Sequence, residues 1–238
     1  MQKVLLLTRR EIASYFVSPI AYVAMALFLL ATGVFFGWMD FRPGQPAAMQ
    51  GSFNIMMIVL VFFLPLLTMR ALAEEQRSGT IETLLTAPVT DVQVVTAKFL
   101  GSWAFFLVML APTLLYVVVL AAFGQPDVGP IASGYIGLVL LGAAYVAIGI
   151  LASSLTRNQI IAAVISFVAL LLLAWPVPYV AQVVPPPWRT IIQRATMLSH
   201  YIDFTQGVVD VVHVIYFVVL TVYALFLTVK VLESRRWR

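Results

Sequence analysis

Six long windows of the chain contain no Asp, Glu, Lys or Arg: those between Glu11 and Asp40, Arg42 and Arg70, Lys98 and Asp127, Asp127 and Arg157, Arg157 and Arg189, and Asp210 and Lys230. Each holds 19 to 31 residues, and a helix needs about 20 apolar residues to cross a bilayer. The pattern predicts six transmembrane helices, at about 20–39, 53–69, 99–123, 131–155, 160–184 and 211–231. None of these runs alternates apolar and polar positions over about ten residues, as barrel strands do. The expected fold class is an all-α polytopic membrane protein, a single transmembrane domain over 1–238. The first run is too long for the core of a typical signal peptide and starts well inside the chain, so it counts as a span.

The polar stretches between the spans are patterned too. Over residues 1–18, Val4, Leu5, Ile12, Tyr15 and Phe16 mark an apolar face, and Lys3, Arg9, Arg10 and Glu11 a charged one. That is an amphipathic interfacial helix, with Pro19 at the bend into the membrane. Residues 74–88 read EEQRSGTIETLLTAP. Residues 70–77 are expected to carry the second helix into water, and Ser78-Gly79 to break it. Thr80 can then cap a short helix with Ile81, Leu84 and Leu85 on one face and Glu82 in its first turn, ended by Pro88. Such a segment is either a hairpin lying against its own subunit or a docking element for a cytoplasmic partner, its apolar face rimmed by Glu74, Glu75, Arg77 and Glu82. In residues 185–210, apolar Trp188, Ile191, Ile192 and Met197 mix with Arg189, Arg194 and Asp203, which reads as interfacial.

Composition agrees with lipid as the solvent. Charged residues make up 10% of the chain, against roughly 25% in soluble proteins. Lys3, Arg9, Arg10, Arg70, Arg77, Lys98, Arg157, Lys230, Arg235, Arg236 and Arg238 fall on the side of the termini, and Arg42, Arg189 and Arg194 on the other. This bias puts both termini and the 70–98 segment in the cytoplasm. The net charge of +4 then reflects topology and anionic lipid headgroups and requires no nucleic acid. The absence of cysteine removes disulfides and thiolate metal sites.

Catalytic chemistry is not expected in this chain. The three lysines Lys3, Lys98 and Lys230 follow Gln2, Ala97 and Val229, so there is no P-loop. His200 and His213 lack zinc-protease spacing, and Ser199, His200 and Asp203 are near neighbours in one segment, a poor starting point for a triad. No ionisable residue lies near a span centre, which removes the usual parts of a proton-coupled carrier. A sodium site built from carbonyls and hydroxyls stays open. His213 reads as an interfacial or packing residue. Pro65, Pro112, Pro176 and Pro178 interrupt spans, as hinges or as static kinks. Small residues in the fourth span, among them Gly134, Gly137, Gly142, Ala143, Ala147, Gly149 and Ser153, predict close helix packing, within the subunit before any dimer seam.

RREIASYFVSPIAYV at 9–23 and EEQRSGTIETLLTAPVTDVQVVTAKFLG at 74–101 resemble the permease subunits of ABC-2-type ABC transporters, nearest to the gliding-motility-associated (Gld-type) subgroup. The motif positions are Glu74, Glu75, Arg77, Gly79, Thr80, Ile81, Glu82, Leu84, Leu85, Pro88 and Lys98. The resemblance implies a type V exporter-like domain of six helices, an N-terminal connecting helix bearing Arg9, Arg10 and Glu11, and short helices between spans five and six. It also implies a second permease subunit, as homodimer or heterodimer, and a separate P-loop ATPase that carries ATP and Mg and docks on the 70–88 coupling segment. Export is the direction it implies. Two alternatives stand beside it: an ATPase-linked mechanotransmission or assembly module acting on an extracytoplasmic partner, and a passive channel or secondary carrier.

Overall fold

The computed structural model describes residues 2–42, 47–79, 89–174, 184–185, 188 and 196–236, and all regular structure among them is helical. The helices are α1 Gln2–Val17, α2 Pro19–Met39, α3 Gln50–Thr68, α4 Ala73–Ser78, α5 Asp91–Leu110, α6 Leu114–Phe123, α7 Val128–Leu155, α8 Gln159–Ala174, α9 Met197–Thr205 and α10 Val211–Arg236. Among the described residues, five stretches are long and apolar enough to cross a membrane: Pro19–Met39, Gln50–Ser78, Asp91–Phe123, Val128–Leu155 and Val211–Ser234. The window predicted at 160–184 carries the shorter apolar α8, and residues 175–183, with Pro176 and Pro178, lie outside the described residues.

Long helices joined by short connections alternate in direction. One end of the bundle, called here the far end, gathers residues 40–42, 47–50, 124–133 and 196–213, tied by bonds such as Ser133 Oγ to the Phe204 carbonyl and Tyr201 hydroxyl to the Phe53 carbonyl. The opposite, near end gathers residues 69–79, 91–98 and 153–159 against α1. Carboxylates at the far end serve mostly as helix caps, where they satisfy amides that have no intrahelical partner. Asp40 accepts from Gly51 and Ser52 at the start of α3, Asp127 from Gly129 in α7, and Asp210 from Val212 in α10. At the near end, Thr90 and Gln93 form a capping box that starts α5, eight residues ahead of Lys98, so this helix begins well before the apolar window does.

Two prolines act differently. Pro65 sits inside α3 without ending it, whereas Pro112 falls in a tight three-residue turn, Ala111–Thr113, that separates α5 from α6. There Thr113 Oγ1 donates to the Leu110 carbonyl at 2.7 Å and lies 3.1 Å from the Tyr135 hydroxyl.

Helix α7 is the axis of the bundle, with 72% of its apolar window buried against 28% for α2 and 17% for α10. Its small residues admit large neighbours. Gly134 receives the Phe53 ring of α3, Gly137 the Phe204 ring of α9, Gly142 the Phe106 ring of α5, and Gly149 the Thr68 side chain of α3. The small-residue face is thus occupied by the chain's own helices, the arrangement that lets helices approach closely where lipid gives no hydrophobic drive to associate. Outward faces of α2 and α10 instead expose Leu27, Leu30, Val34, Ile215, Val219 and Val222, an apolar exterior suited to lipid tails.

Gly142→Ala tests this packing. A methyl group at this position would overlap the buried Phe106 ring, and overpacking of a filled core costs roughly 1 to 3 kcal/mol. The variant is expected to unfold about 2 kcal/mol more easily than wild type in mild detergent; an unchanged melting temperature would mean that α5 and α7 are not in contact there.

Candidate functional site

The polar cluster at the near end is built by elements that the sequence spreads from α1 to the start of α8. Helix α3 ends at Thr68, residues 69–72 turn, and α4 runs Ala73–Ser78. The second span therefore does not continue straight through 70–77; it breaks and restarts. Ser153 of α7 holds the break. Its hydroxyl accepts from the Leu72 amide at 3.0 Å and the Ala73 amide at 2.9 Å, and donates to the Met69 carbonyl at 2.9 Å. Those groups would otherwise be unpaired at helix ends. One residue on, the Gln76 side-chain amide donates to the Ser154 carbonyl at 3.0 Å, which fixes the second side of α4 to the same helix.

The helix so placed presents Glu75 to Lys98. Lys98 Nζ lies 2.8 Å from Glu75 Oε1 and 3.1 Å from Glu11 Oε1, and its side chain is 5% exposed. A buried ammonium needs such partners, since an unpaired one is costly. Arg10 reaches Glu75 from outside at 3.8 Å. Lys98 thus joins the N-terminal helix, α4 and the base of α5 at one atom. Gly101, one turn further along α5, makes this approach possible, because a side chain there would collide with Glu11.

Beneath the charges lies a second, uncharged link. The Tyr15 hydroxyl is 2.8 Å from Ser102 Oγ and 3.2 Å from the Leu67 carbonyl, and Ser102 donates to the Lys98 carbonyl at 2.8 Å. Burial pushes the Tyr15 phenol well above its usual range, against the lowering effect of the Ser102 bond and with the nearby Glu11 adding to the rise. Tyr15 is therefore a neutral hydrogen-bonding pin between α1, α3 and α5. Arg70 completes the set, with Nε 3.3 Å from Gln159 Oε1 at the start of α8 and 3.9 Å from Glu74. A cleft of about 280 Å³ opens among Arg10, Glu11, Tyr15, Arg70, Glu75 and Lys98.

Of the residues expected at the site, the structure brings Arg10, Glu11 and Glu75 together, pairs Glu74 with Arg70 and leaves Arg9 and Arg77 exposed. Gly79 ends α4 with a φ of 74°, a left-handed conformation that glycine adopts at little cost. Thr80, Ile81, Glu82, Leu84 and Leu85 lie outside the described residues. Sequence reasoning missed the structural part played by Ser153, Gln76, Tyr15 and Ser102. For Lys98 a signal existed, a lone cation at the border of an apolar window, but nothing in one dimension names its partners. For the serines there was none, because hydroxyls are common in transmembrane helices and rarely mark a contact by themselves.

Residues 41–229 match a protein-family model described as ABC-2 family transporter protein. A search of curated proteins found no match.

Proposed function

The chain belongs to the ABC-2 transporter family, and from that membership we propose that it works as an export permease, with residues 70–88 receiving the ATPase. Members of the family are membrane-embedded transport subunits that work with an ATPase subunit and are not themselves the catalyst. In the reading proposed here the subunit has six spans, the fifth over 160–184, and pairs with a second permease around a central path. Both termini and the 70–98 segment face the cytoplasm of a bacterial inner membrane, following the bias of basic residues. The gliding-motility-associated subgroup is the nearest relation proposed, on the motifs at 9–23 and 74–101.

The observation that carries the reading is the way α4 is tied down. It is a six-residue helix, too short to be stable alone, yet it is joined to α7 by Ser153 and Ser154, and to α5 and α1 by the Glu75, Lys98 and Glu11 cluster. A load applied to residues 80–88 would pass through Gly79 into this block, and from it to spans two, three and four, with Arg70 and Gln159 extending the connection to α8. Such coupling suits rigid-body switching between inward and outward access. ATP can drive the switch only if it binds the two states with different free energy, so the contacts of Ile81, Glu82, Leu84 and Leu85 with the ATPase must differ between them.

Leu84→Asp and Glu82→Lys test the docking role. Each is expected to leave insertion intact and to weaken retention of the ATPase on affinity purification about tenfold, the effect of about 1.4 kcal/mol. Coupled ATP hydrolysis should fall in parallel. Stimulation of the ATPase at the wild-type level by both variants would sink the proposal. Co-purification of a protein with a large extracytoplasmic domain would move the reading toward mechanotransmission.

A further inference from the structure

The chain has two histidines, and both meet at the far end of the bundle. His200 lies on α9 and His213 on α10, with their Nδ1 atoms 2.6 Å apart. His213 Nε2 is 2.8 Å from Asp203 Oδ2, and the Tyr216 ring stacks on His200 with centroids 4.1 Å apart. Asp203 thus differs from Asp40, Asp127 and Asp210, each of which caps a helix. Ser199, a poor triad partner for His200 and Asp203 by sequence, donates to the Thr196 carbonyl, and the acid faces the other histidine.

The chemistry of the pair follows from counting protons. Two ring nitrogens at hydrogen-bond distance need one proton between them, so one ring presents N–H and the other a lone pair. A carboxylate only accepts, so the Asp203 contact requires a proton on His213 Nε2. In the neutral pair, His213 Nδ1 is therefore bare and accepts from His200 Nδ1–H. One added proton leaves both bonds in place: His213 becomes a cation that donates to Asp203 through Nε2 and to His200 through Nδ1, while His200 changes to its Nε2–H form. A second added proton sets N–H against N–H at this separation, and the contact must open. We propose that Asp203, His213 and His200 form a proton-binding site that takes up one proton for two imidazoles and, in doing so, clamps α9 to α10.

The surroundings fit a site for one added positive charge. Among the described residues, the charged groups facing the pair are Asp203 on α9 and Asp210 at the head of α10, with the phenol of Tyr216 beside them. Helices α3, α7 and α8, which also pack on α9, carry no Asp, Glu, Lys or Arg; of their titratable groups, Tyr135 and Tyr145 on α7 face Tyr201 of α9. Protons have access, because His213 and Asp203 are 15% and 42% exposed, and both histidines border an open groove of about 740 Å³ that includes Asp210 and Tyr223. The clamp also has something to hold. On its other side α9 is bonded to α7 through Ser133 and to α3 through Tyr201, and α10 itself packs directly on α7, so the state of the pair sets how α9 is held against α10 at the far end. The sign is definite: uptake of the first proton as pH falls strengthens the clamp by turning the Asp203 contact into an ion pair, and uptake of the second releases it.

The test is a nitrogen-15 NMR titration of the full chain, labelled at histidine and purified with a tag that contains no histidine, over the range of about pH 8 to 5 in which imidazole changes charge. The expected result is a joint titration of both rings with uptake of a single proton, and a through-bond coupling between the two Nδ1 atoms. Independent protonation of the two rings in the wild-type protein, with no coupling, would overturn the site, and needs no variant to fold. A shift of both Nδ1 signals by zinc ion alone, reversed by a chelator, would overturn it in favour of a metal site. Neither readout uses substrate or ATPase, so failure here leaves the permease assignment standing.

Discussion

Lys98→Met is expected to destabilise the protein by about 3 to 5 kcal/mol, the cost of leaving buried charges without their partner. Methionine keeps the length and the apolar stem of lysine, so the loss isolates the ammonium. Without it, Glu11 and Glu75, whose Oε1 atoms lie 3.1 and 2.8 Å from the same Nζ, face each other, with Arg10 at 3.8 Å from Glu75 and itself 63% exposed. An exposed arginine is well screened and recovers little. In a chain of this length the change corresponds to a fall in melting temperature of about 10 °C. Glu75→Gln in the Lys98→Met background should recover part of it, because the second carboxylate is then no longer opposed by a like charge. Melting within about 2 °C of wild type by the single variant, or a double variant that is worse than the single, would mean that the cluster does not hold α4 in place.

Ser153→Ala should cost about 3 kcal/mol through a different mechanism. It removes one hydroxyl that is fully buried and serves three backbone groups, the Leu72 and Ala73 amides and the Met69 carbonyl. Each buried group left unpaired carries a penalty of about 1 to 3 kcal/mol, and water entering the near end would offset part of the total. The damage should be local. Hydrogen exchange at the Leu72 and Ala73 amides is expected to accelerate about a hundredfold, while the core of α7 stays protected. Unchanged exchange at both amides would show that the turn between α3 and α4 is held by something else. If α4 carries the load from the ATPase, as proposed, the same variant should also weaken coupling of hydrolysis to transport.

These two residues show how unevenly the site could be read in advance. Glu74, Glu75 and Arg77 stood out because a run of charge inside an apolar chain is expensive and must face water or a partner. The amphipathic α1 was visible by its periodicity, and Arg10 and Glu11 with it. Yet the sequence could not show that Glu11 and Glu75, separated by more than sixty residues, share one lysine. The second helix reads from the sequence as continuing into water through 70–77, and the turn that the structure places at 69–72 is not legible there, because the signal for it is a serine on another helix. His213 reads from the sequence as an interfacial or packing residue, with nothing to join it to His200, for the same reason: spacing along the chain says nothing of contacts between helices.

The solvent and the order of the helices are legible in one dimension. Excluding charge from some twenty consecutive positions is a one-dimensional requirement of the bilayer, and five of the expected windows carry helices long and apolar enough to cross it. The family motif, likewise, is carried by consecutive residues. Tertiary structure alone decided which polar groups meet. In spans with almost no charge, every face looks alike to lipid, and the choice of partner rests on shape: the glycines of α7 that admit Phe53, Phe106, Phe204 and Thr68 set the depth and rotation of their neighbours. Once those neighbours are seated, Ser153 reaches the break below α3 and His200 reaches His213. Close packing is a short-range, three-dimensional condition, so its consequences at either end of the bundle appear only when the helices are assembled.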